Sequence, residues 1–273
     1  MLTNLTMGQY YPVDSLVHRL DPRIKLVLTL AFIVTVFLVN SLPGYLLIVG
    51  FVFLAAREAR VPFRMLLKSI RPLRMILIFT FVLNLFFTAG DQVLLEFWVI
   101  RITSESLRQA VFYSLRLVFL VLGTSLLTLT TSPVALSDGL ELLLGPLKKI
   151  RFPAHELAMM MTIALRFIPT LLDETDRIMK AQMARGADFE SGNLIARARA
   201  MVPLLVPLFV SAFRRAGDLA MAMESRCYHG GEGRTRFRVL KITRMDWIAC
   251  LTVVLLIVLI ILERTFVPAS FPF

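Results

Sequence analysis

The 273 residues are 57% hydrophobic with a mean hydropathy of +0.74, and they carry 30 lysines and arginines against 19 acids, a net charge of +11. So apolar a chain is not an ordinary soluble domain: it belongs in a membrane, with its charge held in wetter regions. Cys227 and Cys250 are too few for a disulfide framework and lack a paired metal spacing.

The N-terminal "MLTNLTMGQYYPVDSLVHRLDP" has neither an apolar core nor a small-residue cleavage site, so no signal peptide is expected and the first apolar helix is retained. In "HRLDPRIKL" (18–26), Asp21 suits an N-cap, Pro22 the first helical position, and Arg23 and Lys25 a headgroup anchor. That explains the residue types and leaves the particular string unexplained. Apolar runs at 24–39, 45–56, 75–89, 107–130 and 246–262 predict about five spans. The first two are short and joined only by "NSLPGY", so a tilted hairpin or re-entrant pair is the alternative. Arg19, Arg23 and Lys25 precede the first span, and Arg57, Arg60, Arg64, Lys68, Arg71 and Arg74 lie between the second and third. The positive-inside rule then puts the N-terminus in the cytoplasm, and the sparsely basic 90–106 segment outside. Arg116, in "FYSLRLVFL", is the one deep charge within a span. It reads either as a functional group or, more plainly, as a cation that snorkels or pairs with backbone carbonyls.

The interval 131–245 holds 17 lysines and arginines against 11 acids, a net of +6, and is assigned to the cytoplasm. It is also too apolar for a linker, since "AHELAMMMTIALRFIPTLL" and "MVPLLVPLFVSAF" require burial or a partner. "TTSP" offers Ser132 as N-cap and Pro133 at the first helical position, and three helices follow over 133–148, 154–185 and 193–226. "AQMARG" (181–186) and "AMESRC" (222–227) echo one another, each setting an arginine at the close of a long helical pattern. A cation at a helix end offsets the dipole by about 0.3–1 kcal/mol and needs no further purpose. Two at matched places raise the alternative that they grip a partner.

Absent motifs narrow the chemistry. "HELAMM" at 155 lacks the second histidine of a zinc-protease helix, and no glycine run ends in Gly-Lys-Ser/Thr, so neither a catalytic metal nor a nucleotide site is expected. "GGEGR" (230–234) reads as a flexible turn. The inverted repeats and midplane polar residues of a secondary transporter are not seen either.

Five strings occur in series: "GQYYPVDSLVHRLDPRIKL", "SLLTLTTSP", "ALRFIPTLLDE", "AQMARG" and "RRAGDLAMAMESRCY". Together they resemble the transmembrane T components of energy-coupling factor importers, a branch of the ATP-binding-cassette transporters. The resemblance implies an all-α, L-shaped membrane protein with a cytoplasmic coupling domain. Its partners would be two ATPase subunits below and a substrate-binding S component in the bilayer, for vitamin or metal uptake, with no cofactor and no nucleic acid. The family's coupling motifs fall on Ala184-Arg185-Gly186 and Ser225-Arg226-Cys227, each arginine entering a groove on one ATPase. Cys227 departs from the expected glycine, which puts the cap there in question. Asp21, Pro22, Arg23 and Arg116 are assigned structural or intramembrane contacts. Met159, Met160 and Met161 either slide against the S component or fill the domain interior, and Pro169, Pro203 and Pro207 are expected to kink the long helices.

These readings divide the chain into 1–130 (N-terminal segment and four spans), 131–245 (coupling domain) and 246–273 (last span and tail), in a prokaryotic cytoplasmic membrane. The expected function is energy coupling, with ATP hydrolysis in partner subunits. A self-sufficient secondary transporter and a basic membrane-anchored interaction protein binding acidic lipid or nucleic acid are the rivals.

Overall fold

A computed structural model describes residues 10–88, 93–97, 100–146, 153–189, 193–230 and 240–266. The fold is all-α apart from one short hairpin. The helices are α1 (Pro22–Leu38), α2 (Leu42–Glu58), α3 (Phe63–Ile70), α4 (Arg74–Phe87), α5 (Ser104–Thr130), α6 (Pro133–Leu144), α7 (Ala154–Ala184), α8 (Leu194–Glu224) and α9 (Arg244–Phe266). A 3-10 turn, Arg71–Leu73, joins α3 to α4. Contacts divide the chain into two compact units, one of 7–139 with 240–273 and one holding 140–239.

Among the described residues five helical stretches are long and apolar enough to cross a membrane, and they overlap the five expected spans only in part. Phe63–Phe87, Ser104–Thr130 and Arg244–Phe266 cover expected spans; the other two are α7 and Ala200–Glu224 within α8, from the interval assigned to the cytoplasm. Meanwhile α1 and α2 have 17 residues each, about 25 Å of helix, the lower limit for a span. Length and composition alone therefore do not separate a bilayer helix from a long helix that awaits a protein partner. The loop expected before α5 is instead an antiparallel hairpin, β1 (Val93–Phe97) with β2 (Ile100–Thr103), pairing Phe97 with Ile100. Its valine, isoleucine, threonine and aromatic content favours a pleated strand. The two residues past 146 in the expected 133–148 helix, and "GGEGR" beyond Gly230, lie outside the described residues.

In the membrane unit α1, α2, α5 and α9 pack around Phe32, Val36, Ile48, Val52, Phe119, Leu122, Leu256 and Ile260. Tyr45 stacks between Phe112 and Phe119, with centroids 5.6 and 5.8 Å away, and donates to Phe112 O at 3.1 Å. Gly123 lets α5 lie against α1, because a Cβ there would come within 2.4 Å of the Phe32 ring. A larger residue would push the two helices apart.

One end of this unit is tied by a polar knot built on "HRLDPRIKL". Asp21 caps α1, accepting from Arg23 N at 3.0 Å, and Arg23 grips the same carboxylate from Nη2 and Nε at 2.7 and 3.1 Å. Asp246, fully buried, accepts from Asp21 N at 2.8 Å with one oxygen and from Thr243 N and Oγ1 at 2.7 and 2.8 Å with the other. A single carboxylate thus closes the N-termini of both α1 and α9. Lys25 is buried and donates to His18 O, Thr130 O and Thr131 Oγ1 at 3.1, 3.0 and 3.3 Å, so all three of its protons have acceptors and the end of α5 is held. Tyr11 N adds a bond to Leu129 O at 2.9 Å, and His18 bridges Ser15 Oγ and Tyr11 O. The string is specific because His18, Asp21, Arg23 and Lys25 each close a helix end or a loop that another element needs.

Lys25→Ala leaves Thr130 O and His18 O without their donor and is expected to cost about 2–4 kcal/mol, seen as a lowered melting temperature of the detergent-solubilised chain. Burial pushes the Asp21 carboxyl up, but hydrogen bonds and charge from Arg23, with Lys25, outweigh it and hold the group below 3.8. This stabilisation is present above pH 3.8 and is lost as pH falls through the lowered folded value, so Asp21→Asn should flatten the acid limb of a stability–pH profile.

Candidate functional site

The helices of the second unit end alike. After α7, Gly186 N donates to Met183 O and Ala187 N to Gln182 O, both at 3.0 Å, with Gly186 in the left-handed region at φ +90. This pair of bonds is a Schellman closure with Arg185 in the capping position. After α8, Cys227 N donates to Glu224 O at 2.9 Å and Tyr228 N to Met223 O at 3.1 Å, with Cys227 at φ +56. The closure is the same, and Arg226 stands where Arg185 does. Cys227 therefore takes the left-handed place without being glycine, which answers the question raised by its identity. His229 Nδ1 donates to Cys227 O at 2.9 Å and adds to the closure.

Ala184, Arg185, Gly186, Ser225, Arg226 and Cys227 are all exposed. Among the described residues neither guanidinium has a hydrogen-bond or ion-pair partner. Each arginine is fixed at its backbone and free at its head. Such a planar fork matches a carboxylate or a row of carbonyls on a partner.

The sequence reading missed the contact that relates the two arms. Arg215 Nη2 of α8 donates to Glu174 Oε2 of α7 at 2.8 Å. Arg185 follows Glu174 by eleven positions, and Arg226 follows Arg215 by eleven. Each arginine thus lies about 16 Å along its own helix from the contact. The echo between the two motifs thus places Glu174 and Arg215 at equal separations from the two arginines. The equal spacing was the available signal. Met160 and Met161 are exposed and Met159 is half-buried, while α7 runs on through Pro169 and α8 through Pro203 and Pro207.

Asp21, Pro22 and Arg23 sit in the membrane unit's polar knot. Arg116 lies halfway along α5 yet level with the end of α1, where Nη2 donates to Val39 O and Asn40 Oδ1, both at 3.2 Å. The guanidinium is flanked by the Phe37 and Tyr113 rings at 5.4 Å each. It closes the carbonyl end of α1, whose negative pole favours a cation.

A family model described as CbiQ, cobalt transport protein, matches residues 14–239. The chain belongs to this family. It is 55% identical over 265 residues to the energy-coupling factor transporter transmembrane protein EcfT of Clostridium kluyveri, covering 97% of this chain and 98% of that protein. The EcfT of Thermosediminibacter oceani is 54% identical over 96% of this chain and 99% of its own length, and that of Bacillus subtilis 49% identical over 97% and 100%. At this similarity and coverage the chain is the transmembrane energy-coupling component of such a transporter, a multi-pass protein of a prokaryotic membrane.

A Cβ in the left-handed region costs about 1–2 kcal/mol, whereas glycine is at ease there. Cys227→Gly is expected to raise the melting temperature and Gly186→Ala to lower it, each by the equivalent of about 1 kcal/mol, with both arginines kept.

Proposed function

We propose that Arg185 and Arg226 are the contacts through which two cytoplasmic ATP-binding-cassette subunits drive this chain, which passes the motion to a substrate-binding membrane partner. The observation that carries this reading is the matched pair of exposed, identically capped arginines, equidistant from the Glu174–Arg215 contact. Two arms of equal length suit a partner that presents two equivalent grooves, as a dimer of ATPases does. Ala184, Gly186, Ser225 and Cys227 are small, so the grooves can close around each guanidinium. Ion pairing there is of the charge-assisted kind, worth about 1.5–3 kcal/mol per contact.

The rest of the second unit supports the same assignment. Val202, Val206, Phe209, Phe213 and Met221 of α8 are exposed, as are Met160 and Met161 of α7. In a cytoplasmic unit such faces call for protein, and soft methionines tolerate a partner that changes orientation. The basic 57–74 segment would hold its end of the membrane unit at the cytoplasmic leaflet. Hydrolysis and substrate choice would then belong to other subunits.

Arg185→Ala with Arg226→Ala is expected to abolish both co-purification with the ATPases and ATP-driven uptake, while the chain still inserts in the membrane. Lysine at either place should restore only part of the loss, since it lacks the planar fork. Normal uptake and an intact complex in the double alanine variant would refute the docking role.

A further inference from the structure

The geometry points to a binding site for one anionic phospholipid at the basic end of the membrane unit, its acyl chain between α1, α2, α5 and α9 and its phosphate among Arg19, Arg57 and Arg60. This reading rests on the membrane unit alone and stands apart from the coupling proposal.

Two recesses adjoin there, sharing Leu16 and Glu58 in their walls. The first is an apolar groove of about 380 Å³, reaching from Leu16 down to Phe32 on α1, with Ala55 of α2, Leu126 of α5 and Ala249 of α9 around it. The second, of about 430 Å³, is lined by the charged residues Arg19, Arg57 and Arg60 with Asp14 and Glu58. Three guanidiniums face two carboxylates, and Asp14 lies 3.9 Å from Arg19 with both side chains largely exposed. Among the described residues Arg60 Nη1 donates to the Asp14 backbone carbonyl alone, at 3.3 Å. A hydrocarbon slot opening beside a net cationic recess has the two-part chemistry of a charged lipid, and the adjoining α3 continues the basic surface with exposed Arg64 and Lys68. The carbonyl end of α2 opposes an anion, but its last carbonyls are already bonded: Arg60 N to Arg57 O at 3.0 Å and Val61 N to Ala56 O at 3.2 Å.

Backbone strain supplies an independent argument. Arg60 closes α2 in the left-handed region at φ +53. Glycine would fit that place better, yet the residue is a long cation whose guanidinium, bonded to one backbone carbonyl, keeps donors for an anion.

The test is native mass spectrometry of the full chain, purified with its partner subunits, with added phosphatidylglycerol or phosphatidylcholine of identical acyl chains. Phosphatidylglycerol should be retained about tenfold or more over phosphatidylcholine. Arg57→Gln with Arg60→Gly should lower the retention of phosphatidylglycerol itself about 25-fold, roughly fivefold per arginine, while the melting temperature does not fall, because glycine relieves the strained cap. Ala55→Trp fills the groove and should displace both lipids. Inorganic phosphate should not compete. Equal retention of the two lipids, displacement by inorganic phosphate, or phosphatidylglycerol binding untouched by the arginine variant would overturn the assignment.

Discussion

The first four amides and last four carbonyls of a helix have no partner within it, and burying them unpaired costs several kcal/mol in an apolar setting. In this chain that requirement organises the structure. Asp246 closes two N-termini at once, Lys25 holds the carbonyl end of α5, and Arg116 that of α1. The C-termini of α2, α7 and α8 turn on left-handed residues, Arg60, Gly186 and Cys227, two of which are not glycine. Charged groups that composition alone would place in water are therefore spent on helix ends, which lets so basic a chain keep an apolar interior.

The same requirement aims the functional side chains. In a Schellman closure the backbone of the capping residue is fixed by bonds on both sides, so Arg185 and Arg226 leave their helices in a set direction rather than sampling many. Preorganisation of this kind lowers the ordering cost of docking. The Glu174–Arg215 pair adds a second constraint, a common reference point from which both arms have equal length. An ion pair with both side chains about a third exposed contributes little stability by itself. Its value lies in registering α7 against α8 at that level.

Much of this was legible in the sequence, for a physical reason: caps are local. Asp21-Pro22, Ser132-Pro133 and Arg185-Gly186 announce helix ends within a few residues, and α6, α7 and α8 begin within a residue of their expected starts. Four of the five strings that carry the resemblance to energy-coupling factor T components hold such ends, while "ALRFIPTLLDE" lies within α7. What stayed hidden depends on partners distant in sequence. Lys25 reads as a headgroup anchor until Thr130, far along the chain, is seen to receive it, and Asp246 gives no hint that it serves Asp21. Arg116 looks central because depth was counted along α5, whereas its level is set by where α1 stops. The expected spans and the helices long and apolar enough to cross a membrane differ because hydropathy measures transfer to any apolar surroundings, lipid or protein alike.

The central claim is that two arginine-tipped helix ends carry force between ATPases and membrane. Photo-crosslinking from the neighbouring exposed positions Ala184 and Ser225, in the assembled transporter and with both arginines intact, addresses it most directly. The account predicts that each position captures an ATPase subunit and that a chain labelled at both captures two. Adducts from both positions solely with lipid or with another membrane subunit would contradict it.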